Sequence, residues 1–409
     1  MTQTLLDGLR VVEVSAFVAA PISGMTLAQL GAEVIRIDPI GGGADIRRAP
    51  LAPDGTSLYW AGLNKGKRSV ALDLQSAEGR ELATALATKA GAGAGILVTN
   101  LPPVGWLDYE TLRARRGDLI MLILSGHTDG SSAVDYTVNA AVGLPQLTGG
   151  EDERGVVNHV LPAWDLIAGL HLAVGLLAAE RYRSRYGLGQ RVDIALSDVA
   201  YAAMGALGFI AEAGLGVERP RIGNDIYGAY GRDFVTADGR RLMVVGITLR
   251  QWRSLVNAAS AQAPLAALAH RLGLDLNLEE ARYTARKEID EILGAWFAAH
   301  SSEEARNALD AASACWSFYQ SVGDMVRNDP GCSLANAMFT EVGQSGVGVL
   351  LSAASPLRHS TPERKPAEPA PRLGQDTAAI LMRDLGLSER ELGQLSARGT
   401  IPSLSEMPR

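Results

Sequence analysis

The sequence predicts an α/β protein built on a mostly parallel sheet with helices on both faces. Three observations carry this. Short runs of aliphatic and β-branched residues recur through the first 125 positions, segments of helical character separate them, and glycines or prolines fall where the runs stop. Strands that alternate with helices pair in parallel, because each crossover helix returns the chain to the same end of the sheet.

Leu9–Ser15 reads as the first buried strand, and Pro21–Gly31 as the helix after it, with proline near its start and glycine at its end. Glu33–Asp38 is a second strand, running into Pro39 and the glycines Gly41, Gly42 and Gly43. Ser69–Leu74 is a third, followed by a helix over Ala77–Ala90. Ile96–Thr99 and Leu119–Leu124 are further strands, with a short helical signal over Asp108–Arg116 between them. A helix-rich middle follows. Asp165–Arg185 is apolar on every face, which predicts burial in a core or in a subunit interface. Gly187–Gln190 ends it, Arg191–Ala195 is a short strand, and Asp198–Ala213 is another apolar helix. Tyr230–Val245 reads as a hairpin turning at Asp238-Gly239. Amphipathic helices then run to about Ser313, forming a candidate second domain. A proline-rich connector, Thr361–Pro371, precedes one last helix over Thr377–Leu385.

At 409 residues the chain exceeds one compact core, so two domains are the default and three are possible. With 47% apolar and 20% charged residues, the balance is that of a folded protein. A net charge of −7 argues against a nucleic-acid or anionic-membrane partner, while leaving room for one anionic group held by a few local cations. Two cysteines are too few for a disulfide scaffold, no Cys/His spacing matches a zinc site, and Cys315 beside Trp316 is expected to be a small buried residue. Met1–Arg10 lacks a basic segment followed by an apolar one, and the apolar stretch Leu166–Ala179 falls short of the roughly 20 residues that span a bilayer. A cytoplasmic protein without a metal is the expectation.

The glycine triplet is not a G-x-G-x-x-G and follows the second strand, so a flexible loop is its simpler reading. Arg47 and Arg48 just beyond it have the chemistry to hold phosphate. Asp165, after Pro162-Ala163-Trp164 and at the head of the apolar helix, reads most simply as an N-cap. The other reading is a carboxylate nucleophile, already ionised at neutral pH. His127 follows a strand end, His171 sits on an apolar helix, and His159 lies near Asp165, yet no serine or cysteine motif accompanies them. A Ser-His-Asp hydrolase therefore has no support.

Several segments together resemble the class III CoA-transferases, the family of formyl-CoA and carnitine CoA-transferases and α-methylacyl-CoA racemase. They are Leu6–Ser15 with Leu30–Arg36, Asn64–Leu74 with Glu78-Gly79-Arg80, Tyr186–Asp193, Thr236–Gly239, Ser355–Arg358, Leu373–Thr377 and Leu385–Ser388. The resemblance implies an interlocked, ring-like homodimer. Each chain would have a large Rossmann-like domain made from both chain ends (1–218 and 331–409) and a small α+β domain inserted over 219–330. It implies that Asp165 is the catalytic aspartate. It also implies that CoA lies along Phe17-Val18-Ala19, Arg47-Arg48, Leu72-Asp73, Asn100-Leu101 and Ser125-Gly126-His127. CoA belongs to the substrate; no other cofactor and no metal is implied. Backbone N–H groups near Gly126 are candidate oxyanion donors.

Departures from the family pattern narrow the expected activity. The racemase branch has a proton-transferring histidine before an aspartate, where this chain reads Val134-Asp135. The glycine-run loop of formyl-CoA transferases is missing after Arg221–Asn224, and Ala312–Val342 diverges. Within the family the chain is most similar to the branch that moves CoA between the C1 and C4 carboxyl groups of mesaconyl-CoA. Such transfer needs a group to hold the idle carboxylate, for which Arg47, His127 and Asn139 are candidates. An intermolecular CoA-transferase and a non-catalytic acyl-CoA-binding protein are the competing readings.

Overall fold

Six strands hydrogen-bond in parallel throughout, in the order β3-β2-β1-β4-β5-β6. They belong to a computed structural model that describes residues 4–151 and 154–403. The chain runs β1 (Arg10–Val14), α1 (Ala19–Gln29), β2 (Glu33–Pro39), α2 (Leu58–Leu63), β3 (Arg68–Leu72), α3 (Ala77–Ala87), β4 (Ile96–Thr99), α4 (Tyr109–Arg115), β5 (Ile120–Ser125) and α5 (Asp135–Ala141). Short α6 (Leu144–Leu147) is followed by α7 (Ala163–Tyr186), β6 (Gln190–Ala195), α8 (Leu196–Ala206) and α9 (Phe209–Gly214). The strands form where the apolar runs predict them, because β1, β2, β4 and β5 are buried almost end to end and only continuous apolar sequence satisfies that. α1 starts two residues ahead of Pro21, which falls in the first turn, where its missing N–H has no intrahelical partner to lose.

Helix α7 is apolar around its whole circumference yet only one side is covered. Trp164, Ala168, Gly169, Leu172, Leu176 and Ala179 are buried against α1 and β5. By length and composition the helix could cross a bilayer, and at Ala163–Tyr186 it extends the expected Asp165–Arg185 by two residues at its start and one at its end. Its opposite stripe, Leu170, Val174 and Tyr182, is exposed in the single chain. The apolar stretch expected as one helix over Asp198–Ala213 is two, because Gly208 adopts φ +80° between α8 and α9.

Later elements are β7 (Gly231–Val235), β8 (Arg241–Val245), α10 (Leu249–Ala258), α11 (Gln262–Leu272), α12 (Glu279–Thr284), α13 (Arg286–Ala299), α14 (Ser302–Ala311), β9 (Cys315–Phe318) and α15 (Val322–Asn328). β7, β8 and β9 form an antiparallel sheet, with the hairpin turn at Asp238-Gly239 as expected. Cys315 corrects an expectation: it is exposed, because it lies on the edge strand β9. The chain ends with the hairpin β10 (Phe339–Gln344) and β11 (Gly348–Ala353), then α16 (Thr377–Leu385) and α17 (Glu389–Ala397). β9, β10, β11, α2, α5, α6, α15 and α17 were not anticipated.

The chain separates into two compact units. One comprises Met1–Val142, His159–Glu212 and Pro330–Arg409; the other comprises Gly143–Asn158 and Ala213–Asp329. The expected division at 218/219 and 330/331 assigned residues 143–158 to the large domain. They belong with the second unit because Gly223 N–H donates to Gly149 O, the Arg221 guanidinium donates to Gln146 O and Gly155 O, and Glu151 pairs with Lys287.

Candidate active site

The chain reverses its direction of sheet growth between β1 and β4, and in such sheets ligands bind in the crevice at the carboxyl ends of those strands. Here that crevice is braced by Asn100, just past β4. Its side-chain oxygen accepts from Ala16 N–H at 2.9 Å and its amide donates to Ala16 O at 2.7 Å. Arg36 fixes the preceding residue, donating to Ser15 O at 3.0 Å. Arg36 is fully buried, and its remaining donors meet Asp38, Asp45 and Asn64. Between these anchors Phe17 is held at φ +64°, in the left-handed region that non-glycine residues seldom occupy. Two clamps thus set the loop from which Phe17, Val18 and Ala19 face the crevice.

Asp165 enters from the head of α7. It is the third residue of that helix and not its cap; Pro162 precedes the first turn and offers no side-chain acceptor. The N-cap reading is corrected by a second carboxylate. Asp135, buried at the start of α5, accepts from Trp164 N–H at 2.7 Å and from Asp165 N–H at 3.3 Å. The other oxygen of Asp135 lies 2.6 Å from His159 Nε2. Asn139, one turn further along α5, accepts from the Trp164 indole at 3.2 Å. Because Asp135 satisfies the helix end, the Asp165 carboxylate is left without a hydrogen bond to any described residue. Burial pushes its pKa up to about 6; the charge of Asp135 pushes the same way and Arg48 opposes both. Tyr59, half-buried nearby, is raised by burial and by Asp165, with Arg48 again opposing.

A cavity of about 580 Å³ joins these parts. Val18, Ala19, Asn100, Leu101, Ser125, Gly126 and Asp165 all line it, together with Phe17, Arg48, Tyr59, Asp135, Tyr136 and the loop from Gly130 to Val134. Its size suits a pantetheine arm with a small acyl group. Gly126 is there because nothing larger fits: a Cβ would lie 2.2 Å from Ala133 N, so the 130–134 loop folds directly over it.

Five expected contacts, Leu72, Asp73, Arg47, His127 and Asn139, fall outside the cavity lining. Leu72 is fully buried in the hydrophobic core of the sheet, packed with residues such as Ile37 and Leu381. Arg47 is exposed at the end of a 3₁₀ turn, and it is the next residue, Arg48, that faces the cavity. His127 turns away, its N–H committed to Ser131 O, so that amide is not an available oxyanion donor. Asn139 is buried behind the site and engaged with Trp164. Sequence reasoning overlooked Tyr59, Tyr136 and the capping role of Asp135. For the tyrosines no local signal exists. His159 was noted beside Asp165, but its partner lies 24 residues upstream.

An open parallel sheet with a half-buried, unpartnered carboxylate at its switch point defines an α/β enzyme suited to covalent acyl chemistry. The family model for CoA-transferase family III matches residues 6–377, and the chain belongs to that family. Over 399 residues it is 51% identical to the 2-methylfumaryl-CoA isomerase of Chloroflexus aurantiacus, covering 97% of this chain and 98% of that protein. It is 28% identical to the succinyl-CoA–L-malate CoA-transferase alpha subunit of Chloroflexus aurantiacus, covering 98% of this chain and 93% of that one. A crystal structure of a CAIB/BAIF family protein from Brucella suis superposes with a TM-score of 0.76 at 26% identity, covering 93% of this chain and 99% of that one.

Proposed function

We propose that this enzyme moves CoA between the C1 and C4 carboxyl groups of mesaconyl-CoA, using Asp165 as a covalent relay. The observation that carries this is the carboxylate of Asp165, released from capping by Asp135 and facing a cavity sized for a pantetheine arm and a small acyl group. Identity of 51% over nearly the whole length of a 2-methylfumaryl-CoA isomerase supports the choice of substrate.

The chemistry follows from a carboxylate nucleophile. An Asp165 oxygen attacks the C1 thioester carbonyl; the C–S bond breaks, giving a mixed anhydride and CoA thiolate. The thiolate attacks the aspartyl carbonyl of the anhydride, so the aspartyl C–O bond breaks, leaving an aspartyl-CoA thioester and free mesaconate. The C4 carboxylate then attacks that thioester, re-forming an anhydride and thiolate. Thiolate attack on the C4 carbonyl yields the isomeric thioester and regenerates Asp165. Each stage keeps the acyl group activated, provided that water is excluded. Holding both ends of one diacid in a single cavity supplies the proximity that a bimolecular transfer lacks.

Hydroxylamine added during turnover is expected to inactivate the enzyme by forming a hydroxamate at Asp165, seen by peptide mass spectrometry, with no such adduct in Asp165→Ala. Labelled free mesaconate is expected to stay out of the CoA-ester pool. Label in that pool would replace the intramolecular reading with an intermolecular transferase. Full turnover by Asp165→Ala would overturn the covalent relay altogether.

The apolar stripe of α7 supports a further proposal, that the enzyme works as a homodimer. We place it in the cytoplasm, where acyl-CoA substrates are made and used.

A further inference from the structure

Transfer within one diacid makes a demand that Asp165 does not meet. One carboxylate is idle while the other reacts, and the freed diacid must be retained between the two acyl transfers. A small dianion is retained only if something in the cavity pairs with it. Among the described residues that line the cavity, Arg48 is the sole cation.

Arg48 is built for such a task. Its guanidinium carbon lies 5.0 Å from the ring centre of Tyr59 and 5.7 Å from that of Phe17. Two aromatic rings thus steady a long side chain, and the Tyr59 hydroxyl takes up only part of its five-donor fork. It has no ion-pair partner among the described residues, whereas Arg36, close by in sequence, is consumed by Asp38 and Asp45. Phe17 is itself fixed by the clamps on Ser15 and Ala16, so the steadying surface is rigid. Arg47, His127 and Asn139, the sequence-based candidates, lie outside the cavity lining.

We propose that Arg48 is the seat of the substrate's idle carboxylate and the residue that selects dicarboxylic over monocarboxylic acyl-CoA. Its fork takes the C4 carboxylate while C1 reacts at Asp165, and the C1 carboxylate once the ends have exchanged. One cation serves both half-reactions, because each presents the same group to the same place. This rests on the intramolecular reading above.

The test compares mesaconyl-CoA with tigloyl-CoA, which has the same branched skeleton with a methyl group in place of the C4 carboxylate. Hydroxylamine trapping at Asp165 is measured for the wild-type enzyme, Arg48→Lys and Arg48→Gln, each with both thioesters. Removing a charged hydrogen-bonding partner is expected to lower the mesaconyl-to-tigloyl preference about 10- to 100-fold in Arg48→Gln. Arg48→Lys, which keeps the charge and loses the fork, should fall between and serves where the glutamine variant does not fold. Labelled mesaconate should enter the CoA-ester pool in Arg48→Gln through escape and return of the diacid. An unchanged preference in either folded variant overturns the assignment. Label uptake by the wild-type enzyme would instead defeat the intramolecular reading, and the preference ratio would still decide whether Arg48 selects diacids.

Discussion

Two carboxylates thirty positions apart divide the work of one helix end. Asp135 takes the amides of Trp164 and Asp165, and that leaves the Asp165 oxygens available for attack. The sequence around Pro162 announces a helix start, and an aspartate there reads naturally as its cap. What it could not disclose is a cap delivered from another element. The consequence is testable through pH. As the proposed nucleophile, Asp165 has to be ionised, and its pKa is raised to about 6, first by burial and then by Asp135. The rate of Asp165 trapping is therefore expected to fall as pH drops through about 6. Asp135→Asn keeps an oxygen for the Trp164 amide but removes the charge, one of the two upward influences on Asp165. Its acid limb should lie at lower pH than that of the wild-type enzyme, in a single-turnover pH profile of hydroxylamine trapping. An unmoved limb would mean that Asp135 acts only as a cap.

At the scale of elements, the contact between α1 and α7 sets the cavity wall, and a glycine allows it. A Cβ on Gly169 would lie 2.5 Å from Ala19 O and 2.9 Å from an Ile22 methyl, so the two helices meet there backbone to side. Ala19 lines the cavity and Asp165 stands one turn before Gly169. Gly169→Ala should therefore cost about 1–3 kcal/mol by overpacking and slow trapping at Asp165 together. Gly175, on the same helix, is the control: its Cβ would make ordinary contacts no closer than 3.6 Å, with Leu122. Gly175→Ala should leave the melting temperature equal or higher, since alanine is the better helix former by about 1 kcal/mol. Elements with one dominant cause were legible in the sequence. The core strands were, because burial on both faces demands unbroken apolar runs. Elements decided by context were not: β10 alternates cleanly only over Glu341–Gln344, β11 has no fully buried residue, and α2 is six residues long. α17 did carry a signal, Ser388 and Glu391 in a reciprocal capping box, which the expectation of one final helix passed over.

For the molecule as a whole, the strand order places the crevice where open parallel sheets bind ligands, and an alternating sequence is enough to foresee that much. The cavity lining needed side-chain directions: Arg48 faces in while Arg47 does not, and no sequence rule separates neighbours in a turn. The same limit applies to α7. An all-round apolar helix predicts cover on every side, but whether that cover is core or partner depends on packing. The structure answers for one side only. Leu170, Val174 (66% exposed) and Tyr182 remain in contact with water in the single chain, and Tyr201, Leu207 and Ile210 of the elements that follow add to the exposed apolar surface. Leaving so much apolar area wet is costly, at roughly 25 cal/mol per Å², and a second copy of the chain is the cover we propose. Light scattering of the purified enzyme should then give twice the 43.1 kDa chain mass. Val174→Glu, which would bury a carboxylate in that contact, should shift the mass toward one chain or deplete the folded protein. A wild-type enzyme that scatters as a single chain at micromolar concentration would refute the dimer, and Val174 would then be a tolerant surface position where glutamate changes nothing.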